Sequence, residues 1–199
     1  MRDKRIWIIF LIVFVNLLGF GIILPLLPYY AQSFGGGALT IGFLSAAYSL
    51  FQLLTAPILG ELSDKIGRRP ILIFSLIGTT ISFFLLGIAN TILMLFISRI
   101  VSGIAGGNIS AAQAYVADIT SKENRTEGMG IMMAAFSLGF IIGPALGGIL
   151  SEYGYSVPAF VASGVSLVAT LLTIFLLPES LHPEKKVQTL LKKGRKILV

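Results

Sequence analysis

Six long apolar stretches alternate with short polar ones along this chain of 199 residues. They run over residues 6–31, 39–59, 71–88, 92–117, 128–151 and 158–178. Each can cross a bilayer as a helix, which takes about 20 mostly apolar residues. Open strands cannot span lipid, because their edge amides would stay unpaired. A barrel would show alternating segments of about ten residues, whereas these runs are longer and continuously apolar. The pattern predicts an all-α membrane protein: a six-helix transmembrane bundle over residues 1–180, then a basic cytoplasmic tail over 181–199. The exposed stretches at 60–70, 118–127 and the tail are too short for a separate soluble domain.

Composition supports the same class. Hydrophobic residues make up 55% of the chain and charged ones 12%, and the mean hydropathy is +0.91. Neither proportion suits a soluble domain. Charge then orients the helices. Fourteen of the 15 Lys and Arg residues fall into four clusters around residues 2–5, 65–69, 122–125 and 185–196, and the remaining one is Arg99. The intervening turns around 32–38, 89–91 and 152–157 carry none. This positive-inside pattern predicts both termini in the cytoplasm. The net charge of +6 is thereby explained by topology, and no basic face points to nucleic acid. The segment from Glu184 reads as a weak amphipathic basic stretch suited to an anionic inner leaflet. The first apolar run is too long for a signal peptide and lacks a small-x-small cleavage site.

Little supports an enzyme. The chain has no cysteine and a single histidine, His182, beyond the last helix. No GxxxxGK[ST] phosphate loop appears, and no metal site or cofactor is expected. Chemistry must therefore reside in the helices or their short connections.

Small residues and prolines are frequent within the helices, where they permit close contact in lipid. In the fifth helix Ala135, Gly139, Gly143 and Gly147 form one small face, and Pro144 removes an amide donor. Gly19, Gly21, Pro25 and Pro28 predict a kinked outer half of the first helix. Two groups of three helices, 6–88 and 92–178, start from opposite sides, so an inverted three-plus-three repeat is topologically possible.

The stretch after the second helix reads Gly60-Glu61-Leu62-Ser63-Asp64-Lys65-Ile66-Gly67-Arg68-Arg69-Pro70. It predicts a tight cytoplasmic turn. Gly60 and Gly67 would allow close approach or positive φ, Asp64 and Arg68 could pair four residues apart if helical, and Pro70 suits a first turn. This spacing resembles the signature loop of the major facilitator superfamily. Arg99-x-x-x-Gly103 with Gly106 and Gly107 resembles that family's fourth-helix motif. Gly139-x-x-x-Gly143-Pro144-x-x-Gly147-Gly148 resembles the fifth-helix motif of its antiporter branch. Gly19-x-Gly21 followed by Leu24-Pro25-x-x-Pro28 resembles the first helix of its drug/proton antiporters, the tetracycline and multidrug efflux type. The resemblance extends to about residue 180.

It implies roles for particular residues. Asp64 and Arg68, in the loop with Gly60, Gly67 and Arg69, would join Asp118 in a latch toward a second half. Arg99 would serve proton coupling. Burying its charge costs about 2.5–3.5 kcal/mol on insertion scales, so it must face protein or water. Arg99, Gly103, Gly106, Ser110 and Gln113 fall on one stripe at helical spacing. The cavity would be lined by the first and fourth helices and parts of the second and fifth. Asn16, Gln52, Asn108 and Gln113 are its candidate polar groups, and Tyr29 and Tyr48 its amphipathic contacts. Ser45, Tyr48, Ser49, Gln52 and Thr55 form a polar seam on the second helix. The third and sixth helices look like outer supports.

Two departures qualify the resemblance. Tetracycline-type pumps carry acidic residues within the first and third helices, where this chain has Asn16 and Ser82. None of its nine acidic residues lies deep in a helix. Family members also have about twelve helices around a midplane site. The sequence therefore reads as an N-terminal half or truncated product, or as a chain pairing with a second copy or a separate C-terminal half. The leading expectation is half of a proton-coupled exporter of amphipathic drugs in the cell membrane, with small-molecule substrate, protons and lipid as partners. A non-transporting fragment or interaction module is the first alternative, and sugar or metabolite uptake the second.

Overall fold

A computed structural model describes residues 4–106 and 108–181. Among these residues there are eight helices and no strand. They are α1 (Lys4–Ile23), α2 (Leu27–Ser33), α3 (Ala38–Ile66), α4 (Arg68–Gly87), α5 (Ile92–Ala105), α6 (Asn108–Ile119), α7 (Arg125–Ser151) and α8 (Ser156–Leu176). Among the described residues six spans are long and apolar enough to cross a membrane: α1, α3, α4, α5 with α6, α7 and α8. The protein is an all-α, multi-pass membrane protein. The basic tail lies outside the described residues.

Three boundaries differ from the sequence reading. The first apolar run is not one helix: α1 stops at Ile23 and α2 begins at Leu27, with Pro25 in the turn between them and Pro28 in the first turn of α2. Nor is the stretch 60–70 a loop. α3 continues through its charged residues to Ile66, and α4 starts at Arg68. Its residues sustain helix through pairing on one face, as Glu61 and Lys65 meet at 2.8 Å. Gly67 alone makes the turn, with φ at +124°, a conformation that favours glycine. A Cβ there would also lie 2.8 Å from the Glu179 carboxyl carbon. Gly60, by contrast, is helical, with open space where a Cβ would go. Third, within the fourth span α5 ends at Ala105, Gly106 is a turn residue, and α6 begins at Asn108.

The helices pack unevenly. α1 is central, packed chiefly against α7 and α8, while α4 packs against α8 and α5. Of the most apolar window of α1, 56% is buried, against 6% for α3. α3 leaves Phe43, Leu50, Leu53 and Leu54 exposed along its length. α1 and α7 approach closely because α7 presents glycines to α1, where Gly21 also lacks a side chain. A Cβ at Gly139 would lie 2.9 Å from Leu17 Cβ, and one at Gly143 2.7 Å from the Gly21 carbonyl carbon. One at Gly147 would lie 2.5 Å from the Ile22 oxygen. Gly148 lies off this contact, with nothing within 4 Å.

The connections gather at two ends. At one, the Tyr30 hydroxyl donates to the Ala89 carbonyl at 3.1 Å, and the Tyr30 and Tyr155 rings lie 6.1 Å apart. At the other are Gly67, the residues around Lys122, and the segment that leaves α8. A hydrophobic cluster fills each end: Leu59, Ile71, Tyr115 and Leu177 belong to one, and Tyr30, Leu44, Phe83 and Ala89 to the other.

Candidate functional site

Side chains of neighbouring helices reach the last backbone carbonyls of α5 and the carbonyl of Gly106. Gln52 Nε2 donates to the Gly106 carbonyl at 3.2 Å, and Thr55 Oγ1 lies 3.3 Å from the Gly103 oxygen. Ser75 Oγ donates to the Ala105 oxygen. Two of these groups come from the polar seam of α3. Gly103 is what lets α3 come so near, since a Cβ there would lie 2.5 Å from the Tyr48 oxygen.

Beside this turn lies a cavity of about 230 Å³. Rings of Phe20, Tyr48, Phe83, Phe136 and Phe140 form much of its wall. Phe20 sits 5.5 Å from Tyr48 and 5.8 Å from Phe140, centroid to centroid. The polar groups on the wall are Asn16, Gln52, Thr79 and Ser102. Thr79 donates to the Ser75 carbonyl, and Gln52 is occupied at Gly106. Asn16 is 91% buried, being 9% exposed, and its Nδ2 has no hydrogen-bond partner among the described residues. Ligand pockets commonly measure roughly 300–1,000 Å³, so this space is smaller than a typical complete chamber.

Arg99 lies behind this wall. It is 2% exposed and sits one turn from Ser102, on the same helix face. Tyr48 is within electrostatic range of its guanidinium. Its Nε and Nη2 have no hydrogen-bond partner among the described residues. It is the one charged side chain among the described residues that is almost wholly buried.

A second polar centre sits at the Gly67 end. Arg68 Nη1 meets Asp64 Oδ1 at 2.5 Å, and its Nε meets Asp118 Oδ2 at 3.2 Å. Nη1 also donates to Ser63 Oγ at 3.2 Å. The Glu179 carboxylate closes the arrangement from beyond α8. Its two oxygens accept the backbone N–H groups of Arg68 at 2.9 Å and Arg69 at 3.2 Å. These are first-turn amides of α4, which has no acidic residue of its own there; a carboxylate at a helix N-terminus is favoured by unpaired donors and dipole together. Arg69 Nη2 donates to the Ile174 carbonyl at 2.5 Å, and the Tyr115 hydroxyl donates to the Pro178 carbonyl at 2.8 Å.

A family model described as Major Facilitator Superfamily matches residues 9–198. The chain belongs to the major facilitator superfamily. It is 38% identical over 189 residues to multidrug resistance protein 2 of Bacillus subtilis (strain 168), covering 94% of this chain and 47% of that protein. It is 35% identical over 193 residues to the class E tetracycline resistance protein of Escherichia coli, covering 96% and 47%. Among solved structures, the human organic anion transporter MFSD10 (TETRAN) superposes with a TM-score of 0.79 at 31% identity, over 93% of this chain and 50% of that one. The chain thus spans about half the length of the curated relatives it matches.

Within this superfamily fold, the structure brings Asp64, Arg68 and Asp118 together and puts Asn16 and Gln52 on one cavity. Arg99 and Gly103 are buried, but Ser110 and Gln113 on α6 are exposed, and Gln113 does not line the cavity. Side-chain placement of Asn108 lies outside the described residues. The third helix is more than an outer support, since Thr79 and Phe83 of α4 join the wall and Ser82 donates to the Ser98 carbonyl of α5 at 2.8 Å. Tyr29 is exposed and off the cavity. Tyr48 was expected on the cavity, whereas Glu179 and the phenylalanines of the lining were not singled out from sequence. An acid just after a helix-ending proline, facing a helix start with no acid of its own, was the available signal for Glu179.

Proposed function

We propose that this chain forms one half of a secondary active exporter of amphipathic drugs, coupled to proton exchange and completed by a second six-helix half. The observation that carries the reading is an aromatic cavity with buried polar groups, backed by a buried arginine, inside helices that are otherwise apolar. Cofactors have no part in it. The resistance activities of the bacterial relatives support export, and the human neighbour, an organic anion transporter, supports organic solutes. In this reading Asn16 and Gln52 face substrate in this cavity, Asn108 and Gln113 are assigned to the part of the chamber that a second half completes, and Arg99 serves coupling. Asp64, Arg68 and Asp118, with Gly60, Gly67 and Arg69, form a latch against the second half. Gly139, Gly143, Pro144 and Gly147 of the antiporter-type motif serve helix packing within this half, whereas its Gly148 lies off that contact.

Expression in a pump-deficient host tests it. The chain alone should leave drug sensitivity unchanged, and co-expression with a matching second half should give resistance that collapses when the proton gradient is dissipated. Resistance from the chain alone would point instead to a working pair of copies. A second reading, a non-transporting module that only associates with another half, is favoured by the open face of α3; it requires that no co-expressed half restores export.

We place the protein in the cell membrane with both termini in the cytoplasm, because the described basic connections lie at one end of the bundle. The chain has no cysteine, so single cysteines report cleanly. Cysteines at Gly37, Asn90 and Tyr155 should react with an impermeant label in intact cells. A cysteine at Glu123 should not, and its labelling would reverse the orientation.

A further inference from the structure

α1 presents opposite faces to two different spaces. Asn16 lines the aromatic cavity. Leu18 stands about 200° around the helix from it, and with Val15 it floors a separate groove of about 400 Å³. One stripe of α8, made of Val161, Gly164, Val165 and Val168, forms the wall. The lining is thus four valines, a leucine and a glycine. Toward α4 the two helices are sealed, since a Cβ at Gly19 would lie 2.9 Å from the Phe83 ring and 3.7 Å from Ala162 Cβ. On the other side the groove is open, with Val161 36% and Val168 52% exposed. The same face of α1 continues through Leu11 and Trp7, both exposed.

Gly164 gives the groove its depth. A Cβ at Gly139, Gly143 or Gly147 would run into α1, so those glycines admit a neighbouring helix. A Cβ at Gly164 would meet nothing within 4 Å. Glycine weakens a helix interior, and here no described neighbour fills the space it leaves.

Position in the bilayer identifies the occupant. Val15 and Leu18 lie between the middle of the Arg5–Ile23 span and its Ile23 end. The α8 wall runs from near the Ser156 end of that helix to just past its middle. It is about 10 Å long at 1.5 Å per residue, within the roughly 15 Å of hydrocarbon that one leaflet supplies. Such a lining attracts only through dispersion and apolar burial, which favour a flexible apolar chain that follows its contour. An equal length of helix, about 10 Å across, fills roughly 800 Å³, twice the space present. A second half that completes the aromatic cavity meets the opposite face of α1.

We propose that this groove binds one acyl chain of a phospholipid, from the leaflet on the side of Tyr30 and Ala89, and retains it while the surrounding lipid exchanges. The inference stands independently of what the aromatic cavity takes.

The test is native mass spectrometry of the purified full chain, released into mild detergent from nanodiscs of palmitoyl-oleoyl phosphatidylcholine. The parent should keep one phosphatidylcholine per chain. When the same lipid is titrated into delipidated chain, Gly164→Phe, which fills the groove, should bind it about tenfold more weakly. Gly148→Phe, at an equally open glycine of α7 outside the groove, should leave binding unchanged. Circular dichroism checks that each variant is folded; if Gly164→Phe does not fold, Gly164→Leu decides. No retained lipid on the parent, equal binding by Gly164→Phe, or an equal loss in Gly148→Phe overturns the inference, and the groove then meets only exchanging lipid. A dimer of the parent that Gly164→Phe breaks overturns it as well, by making a second copy the occupant.

Discussion

Arg68 and Arg99 are both drawn away from solvent, but they meet opposite surroundings. Arg68, with its side chain 11% exposed, has carboxylates of Asp64 and Asp118 and a serine hydroxyl within reach. Arg99, 2% exposed, retains two nitrogens with no partner among the described residues. The first sits at a helix end, where charged residues of α3 and α6 can be placed without crossing lipid. The second sits mid-span, where any carboxylate would itself be costly. One cation is a finished contact, and the other keeps two nitrogens for which the described residues supply no partner.

The largest effect that separates the two concerns function. In a completed pump Arg99→Ala should lower proton-driven export about a hundredfold, the scale of removing one buried group that stabilises charge electrostatically. Asp64→Asn should slow the change between inward and outward states. Downhill exchange without a proton gradient should therefore survive Arg99→Ala better than Asp64→Asn. Equal loss of expression and binding in both variants would make the two arginine sites alike after all.

Stability should rank the sites the other way. Arg68→Ala removes the Arg68 contact from Asp118, whose side chain is only 10% exposed. We expect a loss of about 2–3 kcal/mol, below the fully buried range because Asp64 is half exposed. Arg99→Met removes a charge that has no counter-ion among the described residues, and should be neutral or stabilising by about 1 kcal/mol. Denaturant unfolding in matched detergent measures both. A clear loss for Arg99→Met would mean that its nitrogens are satisfied.

Smaller changes test the edge of the Arg68 centre. Gly67→Ala should cost about 1–2 kcal/mol, since it strains a positive φ and displaces the Glu179 carboxylate. Glu179→Gln should cost about 0.5–1 kcal/mol by weakening its interaction with the start of α4. Glu61→Ala, which breaks an exposed pair with Lys65, should stay within about 0.5 kcal/mol. Thermal unfolding should preserve this order.

The six spans were legible because lipid imposes one strong requirement, a long apolar run. The extension of α3 to Ile66 was not, since hydropathy reads Glu61, Ser63, Asp64 and Lys65 as solvent-facing and is silent on helicity. The end of α5 at Ala105 was hinted at by Gly106 and Gly107, yet glycine is equally common in unbroken membrane helices. Asn16 and Gln52 stood out as polar residues in apolar runs. Phe20, Phe136 and Phe140 did not, because an inward aromatic and a lipid-facing one look the same in sequence. Glu179 was hidden by distance, as its partners Arg68 and Arg69 lie 111 and 110 residues away.

The segment that follows α8 has a mechanical consequence. Leu177 is sunk in the core, the Pro178 carbonyl is tethered to Tyr115, and Glu179 is clamped to the first amides of α4. The chain therefore leaves Leu181 from a moored point. A pull applied there is borne by α4 and α6, which carry Arg68 and Asp118, before it can unwind the end of α8.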